Sequence, residues 1–345
     1  MELTKQDSKE AKGIAIIGMV MLHLFCRLNN FPYTPLIWLG NTPLVYYFGL
    51  FGDICVPTYC FLSGYAQHLL FQTEGKAYYK KRFLRILKFL VNFWIVCCVF
   101  ALLGLFFDNS GTIPTSFSVF LGNFFLYGLS YNGAWWFVVT YIILVLVAPY
   151  AIRAVNNLNS IWVLLISGTV YFIAYFFRFN HALSFDHAAV TWLWTQLVLL
   201  GTSFLPFVLG ALFRKHQIVS KIREIDIPPL LKNFLCVSVL LSAFIFHCFV
   251  PSLIVAPITA TASLVCYWTC YKPKAVRSVL QFFGSHSTNI WLTHMFFYLV
   301  LFKDLVFAAK YPLAVLSFML ILCILTSYLV EIPNKYLLKL IDKQK

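Results

Sequence analysis

The chain has 345 residues, 61% hydrophobic and 11% charged, and its 26 Lys and Arg outnumber 12 Asp and Glu to give a formal net charge of +14. Soluble domains carry about 25% charged residues, so this composition excludes a water-soluble surface and describes an integral membrane protein. With 16 Gly and 14 Pro it is neither collagen-like nor disordered.

The N-terminal stretch 1–12 is polar and runs into an apolar segment with no small-residue cleavage site, so it is expected to be a retained cytoplasmic tail. Apolar segments follow at 13–30, 44–71, 87–107, 134–152, 160–178, 190–213, 233–250, 252–271, 279–301 and 311–333. Each is near the roughly 20 residues that a helix needs to cross about 30 Å of hydrocarbon. A further apolar piece, 117–130, is short and runs into Tyr131-Asn132-Gly133; it is expected to lie outside or dip in without crossing. With the N-terminus inside, 22 Lys and Arg fall in cytoplasmic loops and tails, and only Arg27, Arg178, Lys303 and Lys310 fall outside. Such a bias is what short cytoplasmic loops show, so the basic excess reports topology and calls for no nucleic acid. The expectation is an all-α integral membrane protein of about ten transmembrane helices with both termini cytoplasmic. It would form one membrane-embedded domain over 1–345, with a basic cytoplasmic segment at 76–88 and a tail at 334–345.

The ten cysteines sit mostly inside apolar runs, as Cys97 and Cys98 do, where thiols behave as small hydrophobes. Cys266 and Cys270 share a helical face, but no His or carboxylate adjoins them, so neither a disulfide framework nor a metal site is expected.

Ionisable groups inside spans cost roughly 2.5–3.5 kcal/mol each on insertion and are functional candidates by default. Here they are His23, Asp53, His68, His247, His294 and Glu331. His23 and Asp53 each fall about 16 Å from the inner face at 1.5 Å per residue, and His294 somewhat over 18 Å. These three are expected to converge near the midplane, whereas His247 and His68 fall near span ends and read as interfacial. In the stretch Lys76–Lys88, Arg82 and Arg85 are three apart and share a helical face that suits one polyphosphate. A positive anchor on anionic lipid accounts for the same charges.

The order and membrane side of several short motifs resemble the acyltransferase type 3 family of multipass membrane O-acyltransferases. Lys12 followed by His23 resembles its opening signature, in which the basic residue is usually Arg; lysine keeps the charge without the planar fork. Gly52-Asp53 through Ser63-Gly64-Tyr65 is similar to its second-span motif, and Arg82-Phe83-Leu84-Arg85 to its paired-arginine motif. Trp135-Trp136-Phe137, Gly284 through Thr293-His294, and Glu331-Ile332-Pro333 resemble later landmarks.

The resemblance implies transfer of an acyl group, usually acetyl, from cytoplasmic acyl-CoA to a hydroxyl of a cell-surface glycan or its lipid-linked precursor at the cell membrane. His23 would be the catalytic histidine, Lys12 and Asp53 its partners, and Arg82 with Arg85 the contacts to the CoA phosphates. Histidine suits general base work because its unperturbed pKa is about 6.5, and Asp53 is expected to orient its ring. His294 or Ser63 would supply the oxyanion donor or second acid. Trp135 and Trp136 fall near the outer side, where aromatic rings stack on sugars or belong to an interfacial belt. A transporter or flippase with midplane ionisable groups is the alternative.

Overall fold

The computed structural model describes residues 2–108 and 111–343, the last without its side chain. Met1 and residues 344–345 of the two tails lie outside the described residues. In chain order the helices are α1 (Lys5–Phe25), α2 (Leu44–Phe51), α3 (Cys55–Glu74), α4 (Ala77–Phe107), α5 (Phe117–Phe124), α6 (Trp136–Asn157), α7 (Ser160–Phe179) and α8 (Ala188–Lys215). They continue as α9 (Ile218–Arg223), α10 (Pro229–Phe249), α11 (Ala256–Thr269), α12 (Lys274–Met295), α13 (Lys303–Phe307) and α14 (Pro312–Lys343). Among the described residues the strands are limited to the antiparallel pair Trp38–Leu39 and Thr42–Pro43.

Among the described residues, seven helical segments are long and apolar enough to cross a membrane: Leu44–Glu74, Ala77–Phe107, Gly133–Asn157, Ser160–Phe179, Ala188–Lys215, Pro229–Phe249 and Pro312–Asp342. Their packing is that of a membrane protein. On α7 the buried residues Val163, Ser167, Tyr171 and Ala174 form one stripe, and the opposite face shows Ile166, Phe172, Ile173 and Phe176. An amphipathic helix in water buries its apolar stripe and exposes charge; here the exposed face is the apolar one, as lipid requires. The expected 117–130 segment contains only the eight residues of α5, a rise of about 12 Å that falls far short of a bilayer.

The stretch 1–12, expected as a cytoplasmic tail, is in large part a packed helix. Helix α1 begins at Lys5, and Glu10 and Ala11 are fully buried. Likewise α14 runs unbroken from Pro312 through most of the expected C-terminal tail.

The chain divides into two compact units. Unit 1 comprises residues up to Gly18, Leu50–Tyr78 and Thr140–Ser285; unit 2 comprises Met19–Gly49, Tyr79–Val139 and the residues from His286 onward. In unit 1, α3 packs on α8 and α11, and α7 on α8. The α3–α8 crossing is made by two reciprocal glycines. A Cβ on Gly64 would lie 1.8 Å from the Phe207 carbonyl oxygen, and one on Gly210 would lie 1.9 Å from that of Phe61. Lipid supplies no hydrophobic drive between helices, so close backbone approach at small residues is what holds such pairs. The start of α1 is held by charge instead. Glu10 accepts from Tyr267 at 2.7 Å, Gln281 at 2.7 Å and Arg277 at 3.0 Å, and Asp7 pairs with Arg223 at 3.4 Å.

Unit 2 is knit by stacked rings and buried amides. Phe100 lies on Phe296 with ring centroids 4.1 Å apart. Asn92 of α4 donates to Asn289 of α12 at 2.7 Å, and Asn289 donates to Ser327 of α14 at 3.0 Å.

Candidate active site

In unit 2, α12 ends at Met295 and passes into a π-helical turn, Phe296–Leu301. Such turns free backbone groups and recur at functional sites. The freed backbone is used. The Leu292 carbonyl accepts from Asn132 Nδ2 at 2.9 Å and from Trp135 Nε1 at 3.0 Å, and Trp291 Nε1 donates to the Ala134 carbonyl at 3.0 Å. The segment 132–135 therefore straps the end of α12 and fixes the turn that carries His294.

His294 is fully buried. Its Nδ1 lies 2.8 Å from the Trp291 carbonyl, and its Nε2 lies 2.7 Å from Nδ1 of His23, which is in the last turn of α1. The two rings are inclined by 18° with centroids 4.7 Å apart, so the contact lies nearly in the plane of both. This chain of contacts assigns the tautomers. A carbonyl only accepts, so His294 carries its proton on Nδ1. Neutral His294 then accepts at Nε2, so His23 must donate from Nδ1. The lone pair of His23 is left on Nε2, the nitrogen that bonds to no described residue, and His23 itself is only half-buried. A hydroxyl presented at Nε2 would meet a base held in one tautomer and one orientation. Tyr298, from the π turn, completes the group, with its ring centroid 6.5 Å from that of His23 and 6.1 Å from that of His294.

The carboxylate expected beside His23 has another partner. Asp53 sits in the 3-10 turn Gly52–Ile54 that joins α2 to α3, and its Oδ2 lies 3.0 Å from Nε2 of His247 on α10. Both side chains are 1% exposed, and Asp53 Oδ1 and His247 Nδ1 have no hydrogen-bond partner among the described residues. His247, read from sequence as interfacial, is thus a deeply buried member of a carboxylate–imidazole pair in unit 1. The signal available was weak: a lone His in a span whose exposed neighbours Ile245, Phe246 and Phe249 are apolar.

Lys12 lies partly buried on α1, where its carbonyl accepts from Tyr59 at 3.5 Å. Ser63 is partly buried on α3. Arg82 is buried and Arg85 exposed on α4, so of the two Arg85 faces open space. Trp135 is fully buried and spends its N–H on Leu292, so it supports His294 and presents no face to a sugar; its neighbour Trp136 is partly exposed. His68, the other histidine read as interfacial, is buried and bonded to Asn156 at 2.9 Å.

The model of the acyltransferase domain family matches residues 11–332. The chain belongs to the acyltransferase type 3 family and is by class a membrane acyltransferase. No curated protein and no solved structure matches it.

Proposed function

We propose that this protein transfers an acetyl group from cytoplasmic acetyl-CoA to a hydroxyl of a cell-surface glycan or its lipid-linked precursor at the cell membrane. The observation that carries the mechanism is the hydrogen-bonded run from Trp291 through His294 to His23. His23 Nε2 takes the acceptor hydroxyl proton as the oxygen attacks the thioester carbonyl carbon. The tetrahedral adduct collapses with loss of the C–S bond, and the thiolate takes the proton back from His23. His294 holds the ring and shares the charge while His23 is protonated, the role that an acid partner plays in other triads. Asp53, with His247, forms a separate buried pair.

The donor is proposed to dock its phosphates on Arg85 and Arg82. Both precede Asn92 on α4, which lies beside α12, and ten residues of helix place Arg82 about 15 Å from that level. An extended pantetheine arm suits a climb of this order. Helices α1, α11 and α12, which are charged or short, are proposed to cross as well, making ten crossings with both ends cytoplasmic and the basic loops facing the donor.

Calorimetric titration of nanodisc-embedded protein with acetyl-CoA tests the donor assignment. Saturable binding is expected, weakened about tenfold or more when Arg82 and Arg85 are both changed to Ala, since each charge-assisted bond is worth about 1.5–3 kcal/mol. No heat from the wild type, or equal affinity in the double variant, would remove acyl-CoA from this site.

A further inference from the structure

We propose that Arg27 recognises an anionic group on the acceptor, so that the sugar acylated at His23 carries a carboxylate or phosphate near its reacting hydroxyl. This rests on the acyltransferase reading above and names the substrate class for the same site.

Arg27 follows the end of α1, four residues beyond His23. Its guanidinium carbon lies 5.8 Å from the centroid of the Tyr298 ring, and that ring flanks both His23 and His294. The four side chains form one group within unit 2. Arg27 is one of only four cations on the proposed outer side. Lys303 and Lys310 are exposed, and Arg178 donates to Thr202 at 3.0 Å. Arg27 alone of the four is half-buried beside the histidine pair.

No carboxylate neutralises Arg27 among the described residues, and its five N–H donors have no protein acceptor there. The Tyr298 face stabilises a cation by about 0.5–1 kcal/mol, and the C-terminal end of α1 contributes about 0.3–1 kcal/mol. Both hold the charge in place while leaving its hydrogen-bonding fork open. That fork is the group best matched to the paired oxygens of a carboxylate or phosphate. A charged acceptor would be oriented on Arg27 with its neighbouring hydroxyl directed to His23 Nε2.

The test uses full-length protein in nanodiscs, radiolabelled acetyl-CoA, and a glycolipid extract of the producing cells as acceptor. Labelled product is passed over an anion-exchange resin before and after mild acid, which cleaves a diphosphate carrier. We expect the product to be retained before acid. Retention after acid assigns the anion to the glycan, and loss of retention assigns it to the carrier phosphate. Arg27→Gln should lower labelling about tenfold or more, Arg27→Lys should restore part of it, and both should keep the CoA-induced thermal shift. Added salt should depress wild-type labelling more than that of Arg27→Gln. Product unretained before acid, wild-type labelling by Arg27→Gln, or loss of its CoA shift would overturn the proposal. A wild type that binds no CoA and transfers no label overturns the acyltransferase reading beneath it.

Discussion

A histidine acts as a directional base only when one of its nitrogens is committed. Trp291 commits His294, and His294 commits His23. His294→Ala is therefore expected to lower kcat about 100-fold or more while leaving acetyl-CoA affinity unchanged, because it frees the ring without touching the donor. Steady-state kinetics alongside CoA titration check this. Trp135 makes a contrasting prediction. Trp135→Phe should cost about 1 kcal/mol of stability, the worth of one hydrogen bond, and should leave the acceptor KM unchanged; a raised KM would restore Trp135 as a sugar platform.

Part of this was legible in the sequence. Counting residues from the cytoplasmic charges put His23 and His294 at similar depth, and they do meet. The same count put Asp53 there too, yet the imidazole it meets is that of His247. Depth along a helix follows from 1.5 Å per residue, but which face meets which neighbour is decided by packing between segments almost 200 residues apart. His247 was misread for the same reason, since proximity to a span end says nothing about what covers the side chain.

At the level of elements, the second-span motif acquires a physical meaning. Gly64 is where α3 meets the backbone of α8, and a Cβ there would overlap a carbonyl oxygen that cannot swing away. Gly64→Ala should force the two helices apart and lower the melting temperature of the detergent-solubilised protein, whereas Gly168→Ala, on open ground, should not. The first turns of α1 are the element that hydropathy hid. Their acids looked like a solvated tail, because the partners that bury them, Arg223, Tyr267, Arg277 and Gln281, lie more than 200 residues away. Glu10→Ala leaves the Tyr267 and Gln281 donors behind without an acceptor and is expected to cost about 3 kcal/mol.

Asp7 adds a pH dependence. Burial alone pushes its carboxyl up, but the Thr4 N–H and hydroxyl, each 2.9 Å away, and Arg223 outweigh that and hold it below the usual carboxylate value. A carboxylate lowered on folding contributes stability above its unfolded pKa, about 3.9, and loses it as pH falls through the lower folded value. The contribution of Asp7 should be intact at neutral pH and vanish in acid. Melting of wild type and Asp7→Asn should therefore converge below about pH 4.

For the whole molecule, the family match runs from residue 11 to 332 and so passes through both units. Composition alone established the solvent, and the charge bias proposes the orientation. The division into two units was not legible, because each is assembled from three separated stretches of chain with no linker of distinctive composition between them. In the proposed reaction the cytoplasmic charges serve the donor, and the histidine pair of unit 2 performs the transfer. The most direct measurement is label transfer from radiolabelled acetyl-CoA to a glycolipid acceptor by nanodisc-embedded wild type and His23→Ala, with CoA binding followed in both. Transfer by the wild type, none by His23→Ala, and equal CoA binding in both are expected; transfer by His23→Ala at the wild-type rate would remove His23 from the mechanism.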